Sequence, residues 1–290
     1  MKLQGILTAM VTPFDEGGRV DEAAARSLAV HLLEHGSHGL VVAATTGESP
    51  TLTDGEQIAL FRAVRDEVGP DALLICGTGT NDTHHSVELT KAAIDAGADA
   101  VLAVTPYYNK PSEAGLRAHF AAIAEAAGST PVVLYNIPSR SVVNMPPALL
   151  AELAQIDNIA AVKQANNDDI QAIEGMDLLA GNDDGFLQTL EAGGTGGILV
   201  ASNIAGPRMR DLYDAFQAGD ADRAQEIDSE LRPIYEALSL ATNPIPVKAA
   251  CEMLGLIPSA RMRLPMVEPD DEERAVIRAA LETQGLLATA

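Results

Sequence analysis

Tryptophan is absent from this 290-residue chain, and cysteine occurs only as Cys76 and Cys251. Both cysteines lie in apolar runs, without the spacing of a zinc site or a disulfide framework, and read as small core residues. His84, His85 and His119 fall on helix-like stretches with no metal-ligand spacing and read as non-catalytic. Basic residues are few, 19 against 41 acidic ones, for a formal net charge of −22. That deficit argues against DNA, RNA or an anionic membrane as partner, because each needs clustered Lys and Arg. The acids concentrate in stretches such as Asp220 to Glu236 and Glu268 to Arg274, the pattern of solvated outer helices. No apolar run is long enough to span a bilayer. The opening Met1-Lys2-Leu3-Gln4-Gly5 has no secretory pattern, so a cytoplasmic location is expected.

What the chain does have is alternation. Apolar runs begin at Ile6, Leu40, Ala72, Ala100, Val132, Ile159, Leu178 and Gly197, and an amphipathic stretch follows each. Expected helices run over Asp21–Glu34, Asp54–Val68, Asp82–Ala96, Ser112–Ala127, Pro146–Gln155, Asp168–Gly175, Asp184–Ala192 and Pro207–Ala218. Asp54, Asp82 and Ser112 are N-cap types, Pro147 and Pro207 suit a first turn, and Gly36, Gly69, Gly97, Gly128 and Gly219 are stops. The strands are near-continuously apolar, as parallel strands covered on both faces must be. About eight such units predict an α/β fold, a (β/α)8 TIM barrel, over 1–219. A doubly wound open sheet is the alternative, but it would usually carry a Gly-rich phosphate turn after an early strand. Beyond Gly219 the strands stop, and 220–290 is expected to form a helical C-terminal subdomain.

In such a barrel the site lies at the C-terminal ends of the strands. Lys163 ends the sixth run, although lysine is almost never buried without a partner. An amine held in an apolar mouth loses solvation, which favours the uncharged form that attacks a carbonyl. A strand-end lysine in water is the ordinary explanation, and the other strand ends weigh against it. The second is followed by Thr45-Thr46-Gly47-Glu48-Ser49, either a plain turn or backbone N–H groups and hydroxyls facing a carboxylate. The fourth is followed by Thr105-Pro106-Tyr107-Tyr108. The fifth ends in Tyr135-Asn136-Ile137-Pro138-Ser139-Arg140, where Tyr135 is a core aromatic or a proton relay and Arg140 a surface residue or a carboxylate clamp. Gly181-Asn182-Asp183-Asp184 follows the seventh, and Ile198 lies in the eighth.

These residues resemble a known family. Thr45-Thr46-Gly47-Glu48-Ser49 with Tyr135-Asn136-Ile137-Pro138-x-Arg140 is highly specific, and likeness extends from Gly5-Ile6-Leu7-Thr8-Ala9 through the helical tail. The chain is similar to the dihydrodipicolinate synthase/N-acetylneuraminate lyase family of class I aldolase-type barrels. The resemblance implies that Lys163 forms a Schiff base with pyruvate and that Tyr135, Thr45 and Tyr108 relay protons, Tyr108 reaching in from a neighbouring subunit. It implies that Thr45 and Thr46 hold the pyruvate carboxylate and that the Ile198 carbonyl faces the reacting centre, with Gly181 at the substrate site. It implies no metal or organic cofactor, and a homotetramer built as a dimer of dimers.

Arg140 narrows the second substrate. It resembles the arginine that binds the carboxylate of L-aspartate 4-semialdehyde in the synthases, a residue that sialic acid lyases lack at this point. The implied product is 4-hydroxy-tetrahydrodipicolinate, toward diaminopimelate and lysine. A pyruvate-dependent aldolase or lyase of the N-acetylneuraminate or 2-keto-3-deoxygluconate type is the alternative, and a non-catalytic barrel a more distant one. Departures are mild: Ala44 stands for a usual Gly, Gln164 for a common Glu, and Asn182 for a frequent Asp. Asp54, Gln57 and His85 replace the histidines and glutamate of lysine-inhibited members, while Ser49, Asn81 and Tyr107 are retained. Weak or absent lysine feedback is therefore expected. L-Lysine at about 1 mM, the scale of ordinary effector affinities, should leave the rate unchanged, and clear inhibition there would overturn this expectation.

Overall fold

The computed structural model describes residues 2–288. Each apolar run becomes a short strand: β1 Gly5–Ala9, β2 Gly39–Val42, β3 Leu73–Gly77, β4 Ala100–Val104, β5 Val132–Asn136, β6 Ile159–Gln164, β7 Asp177–Ala180 and β8 Gly196–Leu199. All neighbours pair in parallel, and β8 pairs back to β1, closing an eight-stranded barrel. Closure is tight, since a β-carbon on Gly196 would lie 2.3 Å from the Gly5 backbone. The surrounding helices are α1 Glu22–Glu34, α2 Asp54–Val68, α3 Thr83–Asp95, α4 Glu113–Ala127, α5 Pro138–Ser141, α6 Pro147–Leu153, α7 Phe186–Glu191 and α8 Ser202–Gln217. Three more follow: α9 Ala221–Ser239, α10 Ile245–Met253 and α11 Asp271–Thr283. The α/β barrel read from the alternation is the fold.

Side chains alternate between two cores, because successive residues of a strand face opposite ways. Leu7, Val41, Ile75, Leu102, Val133, Tyr135 and Ile198 fill the barrel interior. Ile6, Leu40, Leu74, Val101, Leu134 and Val162 face the helices. Cys76 and Cys251 are free and buried. Among the described residues no helix is long and apolar enough to cross a membrane.

Two local expectations are corrected. The cap of α2 is Thr53 rather than Asp54, because Thr53 accepts from the Glu56 amide while Glu56 reaches back to the Thr53 amide, a capping box. At Pro207 the expectation holds: α8 breaks at Ala205, φ −122° and ψ 30°, and Pro207 sits in the first turn of the helix that follows the break. No helix forms over 168–175. Asn167–Asp169 makes one tight turn, and Asp169 Oδ2 accepts from the Asn144 and Asn166 side chains. Ile173 and Met176 then form an antiparallel bridge around Gly175, at φ 81°. A helix so short is marginal alone, and these side-chain bonds hold the competing loop.

Helices α9 and α10 pack on α8, and α11 packs on both. Arg263, between α10 and α11, ties this end to the barrel: it donates to Glu56 at 2.6 and 2.9 Å, to the Thr51 carbonyl at 2.7 Å and to the Gly18 carbonyl at 2.9 Å. The Arg263 guanidinium holds the Glu56 carboxyl down to about 2. A folded-state pKa below the unfolded one stabilises at pH above the unfolded value, and that contribution is lost as pH falls through the folded one. Glu56→Gln should therefore lower Tm at neutral pH, with the gap narrowing from about pH 4.5 toward about 2. A pH-independent gap in thermal melts would contradict the assignment.

Candidate active site

Lys163 is 3% exposed at the end of β6. Its strand neighbour on β5 is Tyr135, in direct register. Val162 faces the helices, so alternation turns Lys163 inward, and its Nζ lies 4.2 Å from the Tyr135 ring centroid. Above the pair opens a cavity of about 200 Å³ lined by Tyr135, Arg140, Lys163, Gly181, Asp183 and Asn243, among others. Gly181 is required there, since a β-carbon would meet the Ala165 backbone nitrogen at 2.7 Å. Arg140 comes from α5, directly after β5, and its Nη2 donates to the Asn243 carbonyl at 2.9 Å and to Thr242 Oγ1 at 3.3 Å.

Thr45 lines an adjoining hollow that shares Ile137 and Arg140 with the first. It also faces Tyr135 across a smaller recess. The turn carrying it is strained: Ala43 and Glu48 have φ of 48° and 56°. It is held by the Glu48 amide donating to the Thr45 carbonyl at 3.1 Å and by Thr12 Oγ1 donating to the Gly47 carbonyl at 2.7 Å. Thr46 is buried, and its Oγ1 accepts from Asn243 Nδ2 at 3.1 Å. Ile198 lies in the barrel interior, in register with Leu7. Tyr108 stands apart, 88% exposed and at φ 73°. Gln164 and Asn182 serve loop hydrogen bonds: Gln164 Oε1 accepts from Asn136 Nδ2 at 2.9 Å, and Asn182 Nδ2 donates to the Ala165 carbonyl at 3.2 Å.

One charged group in the cavity had no role in the sequence reading. Asp183 follows Gly181-Asn182, and its Oδ1 accepts from the Val200 and Ala201 amides at 2.9 and 3.0 Å. Loss of solvation pushes its carboxyl up to about 6, against the pull of those amides and of Lys163. Two adjacent acids after a strand were the available signal, but they also match a helix start. Asn243 lies in a segment remote in sequence and carried no signal. Among the described residues, no group of three or more His, Cys, Asp and Glu side chains is placed to hold a metal ion.

The model of the dihydrodipicolinate synthetase family matches residues 2–284. This chain belongs to that family. It is 50% identical over 289 residues to the 4-hydroxy-tetrahydrodipicolinate synthase of Moorella thermoacetica, covering 97% of this chain and 98% of that protein. Among solved structures, the dihydrodipicolinate synthase of Cyanidioschyzon merolae with lysine bound is 39% identical with a TM-score of 0.95, covering 98% of this chain and 99% of that one. The synthase of Acinetobacter baumannii complexed with pyruvate is 36% identical with a TM-score of 0.95, covering 99% and 100%.

The family's second motif set gathers as well. Ser49, Asp54, Gln57, Asn81, His85 and Tyr107 line one groove of about 150 Å³. There His85 Nε2 lies 2.8 Å from Asp54 Oδ1, and Gln57 Nε2 donates to the Ser49 carbonyl at 3.4 Å. Its departing residues are thus engaged with each other and with the backbone.

A carboxyl whose folded pKa is raised binds a proton that the unfolded chain releases, so its charge costs stability as pH rises through that range. Asp183→Asn should gain Tm relative to the parent as pH rises from about 4 to about 6, then hold its advantage. A difference independent of pH would rule out a charge held at that cost.

Proposed function

We propose that this chain condenses pyruvate with L-aspartate 4-semialdehyde to 4-hydroxy-tetrahydrodipicolinate, a step toward diaminopimelate and lysine. One observation carries the reading: a nearly buried lysine amine sits over a tyrosine ring, in a cavity shared with an arginine. The reading assigns each group a step. Lys163 Nζ attacks the ketone carbon of pyruvate, water leaves, and an iminium forms. The cation draws electrons from the methyl carbon, which loses a proton and becomes an enamine. That carbon attacks the aldehyde, whose oxygen takes up a proton. The substrate's own amine then attacks the iminium carbon, closes the ring and expels Lys163.

Proton movement is assigned to Tyr135 and Thr45, with Tyr108 from a neighbouring subunit completing the relay. The exposure of Tyr108 on its own chain supports that assignment. Thr45 and Thr46 hold the pyruvate carboxylate, and the Ile198 carbonyl and Gly181 border the reacting centre. Arg140, already oriented by the Asn243 carbonyl, is assigned the carboxylate of the aldehyde substrate. A homotetramer, as a dimer of dimers, is the proposed assembly, with the cytoplasm as its compartment. The proposed division is a barrel over 1–219 and a helical subdomain over 220–290.

A coupled condensation assay over a panel of aldehydes tests the reading. Lys163→Ala should abolish turnover and the borohydride-trapped pyruvate adduct. Loss of a charged hydrogen bond of about 2 kcal/mol predicts that Arg140→Ala raises KM for the semialdehyde roughly 30-fold, with pyruvate KM little changed. An adduct that persists in Lys163→Ala would sink the mechanism.

A further inference from the structure

Glu48 closes the turn that carries Thr45 and Thr46, and no step above uses it. Glu48 and Lys248, on α10, are both 0% exposed. Lys248 Nζ lies 2.5 Å from Glu48 Oε1, and the Arg263 amide donates to Oε2 at 3.1 Å. The Phe14 ring packs beside the pair, its centroid 3.9 Å from Lys248 Nζ and 4.7 Å from Arg263 Cζ. Burial pushes the Lys248 amine down, and the Glu48 carboxylate opposes that shift. Such a pair gains little stability. Desolvating both ions costs several kcal/mol, and apolar replacements of similar volume are often neutral or better.

Fixing a geometry is a better account of it. Glu48 adopts φ 56° and ψ 34°, a left-handed conformation that is strained for a residue with a β-carbon. Its carboxylate is gripped at two points by the C-terminal helical region. The same region reaches the turn a third time, through Asn243 Nδ2 on Thr46 Oγ1, and holds Arg140 through the Asn243 carbonyl. One short stretch, 242–248, thus contacts both proposed anion sites.

We infer that the Glu48–Lys248 pair positions the Thr45-Thr46 turn to receive the carboxylate of pyruvate, so that α10 sets affinity for the first substrate. This rests on the pyruvate reading of that turn. Released from the pair, the strained turn relaxes, and apparent affinity falls with the fraction of molecules holding the competent form. Glu48 and Lys248 are positioning residues, since they act on the substrate only through the turn that carries Thr45 and Thr46.

The informative variant is Glu48→Gln with Lys248→Met, which removes both charges at similar volume. Either change alone leaves a buried group unmatched and should lower Tm. The double variant is expected to melt near the parent, with pyruvate KM raised about tenfold, kcat within about threefold, and semialdehyde KM little changed. Lys163 should still be trapped fully at saturating pyruvate. A folded double variant with the parental pyruvate KM overturns the positioning role. If the double variant does not fold, Glu48→Asp decides, because it keeps the charge and shortens the reach: the same KM rise is expected, and an unchanged KM overturns the inference. A parent enzyme that pyruvate and borohydride do not label sinks the reading of the site itself, a separate outcome from failure of the pair.

Discussion

A side chain on a strand of a closed parallel barrel has two destinations, the interior or the helices, and residue parity decides between them. On β6 that constraint sends Val162 outward and Lys163 inward. Register then sets Tyr135 beside the lysine, and closure of β8 on β1 stacks Ile198 into the same interior. A shift of one residue would turn Lys163 toward the helices, where an unpaired amine has no place. The cavity, the amine and its aromatic neighbour all follow from that one alternation.

The mouth of the barrel accepts costs that the core avoids. Loss of solvation pushes the Asp183 carboxyl up, Glu48 adopts a left-handed backbone, and Lys248 is buried as half of an ion pair. Each works against stability, and each lies within or directly behind the hollows that hold Lys163, Thr45 and Arg140. Functional sites commonly concentrate such strain and perturbed charge. The apolar layers below supply the stability that lets the mouth stay this way.

The C-terminal helices do more than cover one side of the barrel. Asn243 bonds both Thr46 and Arg140, and Arg263 joins Glu48, Glu56 and the Thr51 carbonyl. The Arg140–Asn243 bond spans 103 positions of chain, and the others about 200, as with Glu48 and Lys248. They make the mouth a product of barrel and tail together.

Much of this was legible in order of residues. Strand–helix alternation comes from local apolar patterning, and it determines the barrel, its inward-facing set and the placing of Lys163, Tyr135, Arg140 and Gly181 at one end. The absent helix over 168–175 was not legible, because its pattern suits a helix and only bonds from Asn144 and Asn166 to Asp169 decide against one. Asp183 was given no role, because burial, which pushes its carboxyl up, is a property of its surroundings. Glu48 and Lys248 looked like parts of a turn and of a remote helical tail, and Asn243 carried no signal. Patterning along the chain determines which way a residue faces, whereas ion pairing and desolvation depend on what lies within a few ångströms, and only the closed fold brings those partners together.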